Sequence, residues 1–82
     1  MASYLEIKLE IDRIVQGHYS VWTIGVTDDP ARRKTEHSNP VCWHHWDANT
    51  ETDARNVEKY FLDLGMKGAP GGLGRADYVY IF

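Results

Sequence analysis

The sequence predicts a small α+β fold, with a mainly antiparallel three-stranded sheet flanked by about three helices. Apolar residues recur at helical spacing in one long segment, and capping residues and helix breakers separate the segments from one another. β-branched and aromatic residues cluster in three runs, which cover 19–26, 41–48 and 77–82. With 82 residues, 43% of them apolar, the chain is expected to form one domain over residues 1–82.

The first element, residues 4–16, fits two patterns. Its apolar residues first alternate with polar ones, as in a strand, and then recur at helical spacing. Ser3 and Glu6 have the spacing of a capping box, and Gly17 stands where a left-handed helix terminator is expected. These boundaries favour a helix, with a strand as the alternative.

A strand and a short helix are predicted next. Tyr19 to Val26 is rich in β-branched and aromatic residues, which favours a strand. Thr27 to Pro30 then supplies capping side chains and a proline suited to the first turn of a helix over about 29–37. The breaker sequence 38–40 ends that helix.

In the second strand, residues 41–48, successive side chains are expected on opposite faces. Trp43 and His45 then share one face, and His44 lies on the other. We expect no zinc site here, because adjacent histidines diverge and Cys42 is the single cysteine of the chain.

The last third of the chain combines the longest helix with the third strand. Asn49 or Thr50 is expected to cap the helix, and Gly65 to end it. The glycine-rich segment 66–76 lacks a P-loop ending and precedes a strand, so we interpret it as a connection and not as a phosphate site. Residues 77–82 are almost all apolar, which favours a central strand whose removal unfolds the domain.

Composition limits the function. Nine basic against twelve acidic residues give a net charge of −3, which disfavours strong nucleic-acid binding by the whole surface. No apolar run approaches the roughly 20 residues of a membrane span, so we expect a cytoplasmic protein without a membrane partner. A local nucleic-acid patch is still compatible with the sequence, and its candidate residues are Arg32, Arg33, Lys34, His45 and Arg75.

Arg33 and His37 form the first candidate for chemistry. Four residues apart on one helix face, they have the spacing to present a guanidinium and an imidazole to one phosphate. The simpler interpretation is that Arg33 pairs with Glu36 and that His37 interacts with the helix dipole.

Glu58 is the second candidate. It adjoins the apolar face of the long helix, where a carboxylate is a suitable ligand for a hard divalent cation. The simpler interpretation is an exposed helix residue paired with Arg55 or Lys59.

The order of these residues resembles the core of the GIY-YIG nuclease domain over about half the chain. Thr23-Ile24-Gly25 is similar to the second motif of that family, and Arg33 falls at its arginine position. His37 matches a histidine often found four residues later, and Glu58 matches the metal-binding glutamate.

The chain departs from the family at the tyrosines. Thr23 replaces the tyrosine of the second motif, and the strand that carries the first motif is missing from its usual place. A permuted arrangement, in which the terminal strand with Tyr78 and Tyr80 fills that place, would return a tyrosine to the site. Tyr19 is a further candidate.

The resemblance implies hydrolysis of a phosphodiester. Water would be activated by Tyr19, Tyr78 or Tyr80, while Glu58 would hold Mg²⁺ and Arg33 would neutralise charge. Because the motif tyrosine is replaced, our first expectation is a non-catalytic interaction module without a cofactor. The alternative is a Mg²⁺-dependent endonuclease, and the expected partners are DNA, RNA or a protein.

Overall fold

The computed structural model describes residues 1–69 and 75–82, so the middle of the glycine-rich connection, residues 70–74, lies outside the described residues. The fold belongs to the predicted α+β class. None of the described helices is both long and apolar enough to cross a membrane. In chain order the elements are α1 (Tyr4–Val15), a 3₁₀ turn (Tyr19–Val21), β1 (Thr23–Thr27), α2 (Pro30–Glu36), β2 (His44–Asp47), α3 (Glu51–Asp63), β3 (Lys67–Gly68) and β4 (Tyr78–Ile81).

Within residues 1–69 and 75–82 the sheet has four strands, in the order β2-β4-β1-β3. As predicted, the terminal strand β4 is central, and it pairs antiparallel with both β1 and β2. The prediction of three strands was wrong, because β3 adds a short parallel partner to β1. The backbone N–H of Lys67 donates to Trp22 and that of Ala69 to Ile24, both over 3.0 Å. A strand of two residues is too short to produce a period in the sequence.

The first element is a helix, and its strand alternative is wrong. Ser3 and Glu6 form the predicted capping box at its start. The helix ends in two left-handed residues, Gln16 with φ 49° and Gly17 with φ 83°. The following strand begins later than predicted, because Tyr19 to Val21 forms a 3₁₀ turn.

The hydrophobic core lies between one face of the sheet and the pair α1 and α3. Alternate residues of the two central strands point into it, which is the period of two that a strand imposes. Thr50 caps α3 by accepting from the N–H of Asp53, and this fixes where the apolar face of that helix begins. Fully buried residues from the four elements are Ile7, Ile11, Ile24, Val57, Phe61, Val79 and Ile81.

On the opposite face of the sheet, Tyr80 of β4 lies directly across from Gly25 of β1. A Cβ atom at Gly25 would overlap the Tyr80 hydroxyl and would also lie 3.0 Å from the Cβ of Ala69. Gly25 therefore provides the space in which the tyrosine crosses β1. The Tyr80 side chain is fully buried there, although it is not part of the hydrophobic core.

We predict that Gly25→Ala destabilises the fold by about 1–3 kcal/mol, because the added methyl group overpacks the contact with Tyr80. Urea unfolding of the purified protein measures the change. Gly68→Ala is the matched control, since its Cβ would meet only the flexible end of Leu62 at 3.4 Å. Equal stability of the two variants would contradict this role for Gly25.

Candidate functional site

The helix α2 brings Arg33 and His37 to the hydroxyl of Tyr80. Asp29 caps this helix and Pro30 occupies its first turn, so the two side chains follow one turn apart on the same face. The Nη2 atom of Arg33 donates to the Tyr80 hydroxyl over 3.1 Å, and the Nε2 atom of His37 lies 3.3 Å from the same oxygen. Three of the predicted site residues therefore converge on one atom.

The chemistry of the three groups fixes the direction of their hydrogen bonds. Arg33 can only donate, so the oxygen of Tyr80 accepts from it. The hydroxyl proton is then available to His37, provided that its imidazole is neutral and has a lone pair on Nε2. Burial, followed by the charge of Arg33, lowers the pKa of His37, so the neutral form predominates at pH 7.

Tyr80 remains a neutral phenol at the same pH. Burial raises its pKa, and the repulsive charges of Glu58 and Glu36 add to this effect. The hydrogen bond and charge of Arg33 oppose them without reversing the shift. For Arg33 itself, burial alone would lower the pKa, but the bonds to Tyr80 and Glu36 outweigh it and the net shift is upward.

Glu58 of α3 acts on Tyr80 through its charge. Its negative charge lies close enough to Tyr80 to raise the pKa of the phenol. Burial raises the pKa of Glu58 itself, and Arg55 partly opposes that change. The simpler interpretation of Glu58 named Lys59 or Arg55 as its partner. The pair with Lys59 is not among the ion pairs of the described residues, and Arg55 forms its ion pair with Glu51, at 3.4 Å.

The described residues contain no cluster of three or more histidine, cysteine or acidic side chains suited to a metal ion. Mg²⁺ does not require such a cluster, because it usually keeps several waters and binds one or two carboxylates together with a substrate phosphate. The partly buried carboxylate of Glu58, whose charge acts on Tyr80, is compatible with that mode.

Trp43 covers the site, and sequence reasoning did not identify this role. Its indole stacks on the ring of Tyr80 with a centroid distance of 4.6 Å and on Phe82 at 5.7 Å. The Nε1–H group donates to Nδ1 of His45 over 3.0 Å. The only signal in the sequence was the strand alternation that assigns Trp43 and His45 to one face.

The other two candidate tyrosines do not join the Arg33 cluster. The hydroxyl of Tyr19 donates to Asp12 over 3.1 Å, and its ring packs against Phe61 on the core side of the sheet. Burial, reinforced by Asp12, raises the pKa of Tyr19. Tyr78 shares the strand face of Tyr80, but its ring contacts His45 edge-on at 6.2 Å.

Much of the proposed basic patch is neutralised within the protein. Arg32 forms an ion pair with Asp28 at 2.9 Å and lies 4.0 Å from Glu36. Arg75 pairs with Asp77 at 3.2 Å, at the start of β4. Lys34 lies on α2 beside these residues and is partly buried. A polyanion must therefore compete with carboxylates for these cations.

Comparison with protein-family profiles, with curated proteins and with solved structures gives no significant match to this chain.

We predict that His37 makes stability depend on pH. Its pKa is lower in the folded state than its ordinary value of about 6.5, so stability is full above that pH and falls as His37 becomes protonated at lower pH. The contribution of His37 to the free energy of unfolding should decrease between pH 7 and pH 5, and His37→Asn should change the slope of the curve by up to about 1.4 kcal/mol per pH unit. The control is Asn56→Ala, an exposed change on α3 at a residue that does not titrate, which should keep the slope. Identical slopes in all three proteins would refute the effect.

We also predict that Tyr80→Phe costs about 1–2 kcal/mol of stability, because the variant removes the acceptor for Arg33 without changing the shape of the ring. Tyr78→Phe, two residues away on the same strand face, should change stability by less than about 0.5 kcal/mol. Chemical denaturation of both variants is the measurement. A larger loss for Tyr78→Phe would mean that the hydroxyl of Tyr80 does not hold α2 in place.

Proposed function

We propose that this chain is a Mg²⁺-dependent phosphodiesterase built on a permuted GIY-YIG-like scaffold. One observation carries the proposal: the hydroxyl of Tyr80 lies within hydrogen-bond distance of both Arg33 and His37. A tyrosine, an arginine and a histidine at these positions are the groups that the family resemblance calls for. Glu58 supplies the fourth, because its charge acts on the same phenol.

The strand arrangement supports the permuted version of the scaffold. The permutation requires the terminal strand to lie beside the Thr23-Ile24-Gly25 strand. β4 and β1 are direct neighbours, with Tyr80 opposite Gly25. In this arrangement Tyr80 replaces the tyrosine missing at Thr23, and Gly25 keeps the space that its side chain needs.

The proposed reaction moves one proton along the hydrogen-bonded pair. Since burial raises the pKa of Tyr80, the residue acts as a phenol and not as a phenolate. As water attacks the phosphorus, the oxygen of Tyr80 accepts its proton while the phenolic proton passes to Nε2 of neutral His37. The P–O bond to the leaving sugar oxygen breaks at the same time, and that oxygen takes a proton from solvent water. Arg33 stabilises the negative charge that develops on the phosphate oxygens. Glu58 is the residue that would hold Mg²⁺, which supplies Lewis-acid activation of the phosphate when bound.

A nuclease assay tests this proposal. The substrates are labelled DNA and RNA, single-stranded and duplex, with and without Mg²⁺. We predict that Arg33→Lys, Glu58→Gln and Tyr80→Phe each lower the cleavage rate by about 100-fold or more, whereas Glu10→Gln, an exposed change on α1, does not. The wild-type cleavage rate should decrease at pH values below the pKa of His37, because the protonated imidazole accepts no proton.

Glu58→Gln has a second readout. Burial disfavours its charged form, so the neutral amide should leave the melting temperature unchanged or raise it while activity is lost. Cleavage by Glu58→Gln at the wild-type rate would reject the metal role of Glu58.

A non-catalytic interaction module is the second candidate function, and the burial of Tyr80 favours it. The side chain has 0% exposure, and in this conformation Arg33 and His37 serve to attach α2 to β4. Absence of cleavage by the wild type, combined with oligonucleotide binding that weakens as salt rises, would support a nucleic-acid module. Absence of binding at low salt would leave a protein partner.

A further inference from the structure

The rings of Tyr80 and Phe82 form an aromatic platform beside Arg33. They lie on the same strand face, with ring planes nearly parallel at 12° and centroids 6.1 Å apart. The Trp43 indole covers both rings at angles of 12° and 18°. One bicyclic ring system thus occupies a surface as wide as two benzene rings.

Trp43 is held on this platform by few interactions. Apart from the stacking, its described contacts are the hydrogen bond to His45 and an edge contact with the same ring. The preceding segment is exposed: Val41 has 100% exposure, and Cys42 is also exposed. At the base of that segment Ser38 and Asn39, with φ values of 66° and 51°, cap the end of α2 by donating their N–H groups to the carbonyls of Thr35 and Lys34. Residues 40–43 lie outside any helix or strand, so the indole can move while this cap and the sheet stay in place.

The position of Arg33 indicates what can replace the indole. Its guanidinium carbon lies 6.0 Å from the centroid of the Tyr80 ring. A positively charged group with several hydrogen-bond donors therefore lies next to the aromatic surface. A nucleotide combines the two complementary groups, a planar base and an adjacent phosphate. A purine also has the size of an indole.

We infer that the Tyr80–Phe82 platform binds an unpaired base of a single-stranded nucleic acid, and that Trp43 occupies this base site in the free protein. The inference rests on the proposed function for the phosphate beside Arg33. It assigns the substrate class, because a base paired and stacked within a duplex cannot enter the platform.

The first experiment measures binding in EDTA, so that no cleavage occurs. The probes are a labelled single strand of about 12 nucleotides, a strand of equal length and charge made of abasic residues, and a duplex. The single strand should bind about tenfold more tightly than the abasic strand. Equal affinity for the two strands, or tighter binding of the duplex, would overturn the proposal.

The Trp43→Ala variant distinguishes a displaced cover from a stacking partner. If the indole competes with the base, its removal should tighten binding of the single strand several-fold and leave the abasic strand unaffected. Weaker or unchanged binding of the single strand would overturn the inference. Trp46→Ala is the matched control on the other strand face, and it should not alter the affinity ratio of the two strands.

A third measurement does not depend on how well Trp43→Ala folds. The wild-type protein and Trp43→Phe are both labelled with 5-fluorotryptophan. The ¹⁹F resonance that is missing from the variant is assigned to Trp43. Saturation with the single strand in EDTA should shift that resonance towards the position of exposed indole, with smaller changes for the other two tryptophans. Binding without such a shift would show that the base does not displace Trp43.

These results separate the base site from catalysis. Base-dependent binding by a protein that never cleaves would reject the phosphodiesterase and retain the platform. Cleavage of duplex, together with equal binding of normal and abasic strands, would support the phosphodiesterase and reject the platform as a base site.

Discussion

The side chain of Tyr80 crosses β1 at the one position where that strand has no side chain, and the second face of the sheet is organised around this contact. Arg33 and His37 reach the hydroxyl from α2, while Trp43 lies on the ring from the segment before β2. Gly25 makes the crossing possible. A single tyrosine therefore serves as the common partner of a helix, a loop and a neighbouring strand.

The strand β4 links this site to the stability of the core. Val79 and Ile81 point into the core, whereas Tyr80 between them points to the site. Because side chains alternate along a strand, a shift of the pairing by one residue would exchange the two sets. The pairing that buries the apolar residues thus also fixes the direction of the phenol.

The electrostatics of the site favour neutral groups around one fixed cation. Burial raises the pKa of both Tyr80 and Glu58 and lowers that of His37, which disfavours the charged form in every case. Arg33 keeps its charge because its bonds to Tyr80 and Glu36 outweigh desolvation. A dianionic ligand or a divalent cation would therefore change several protonation equilibria together.

Much of this fold could be predicted from local patterns. The capping box at Ser3, the Asp29 and Pro30 helix start and the apolar run of β4 each have a short-range physical cause, and each element formed where its pattern lies. Two features could not be predicted in this way. The strand Lys67–Gly68 depends on backbone partners more than 40 positions away in the sequence, and Tyr19 sits in a turn although its composition favours a strand.

The candidate site was predictable only in part, for a related reason. Spacing along α2 identified Arg33 and His37 as a pair, but three tyrosines remained equivalent candidates until the strand order was known. The cover formed by Trp43 could not be predicted either. An aromatic residue in a sequence does not indicate whether its ring fills a core or stacks on another ring. Only the register of β2 against β4 distinguishes these cases.

The strand order has a consequence for synthesis of the protein on the ribosome. β1 and β2 do not pair with each other, because β4 lies between them in the sheet. β4 is also translated after both of them. Until β4 emerges, β1 has only the two-residue β3 as a sheet partner, and β2 has none among the strands. The nascent chain can form its helices early, but the sheet and the site must form after translation of β4. During that interval the backbone edges of β1 and β2 remain open to pairing with other chains.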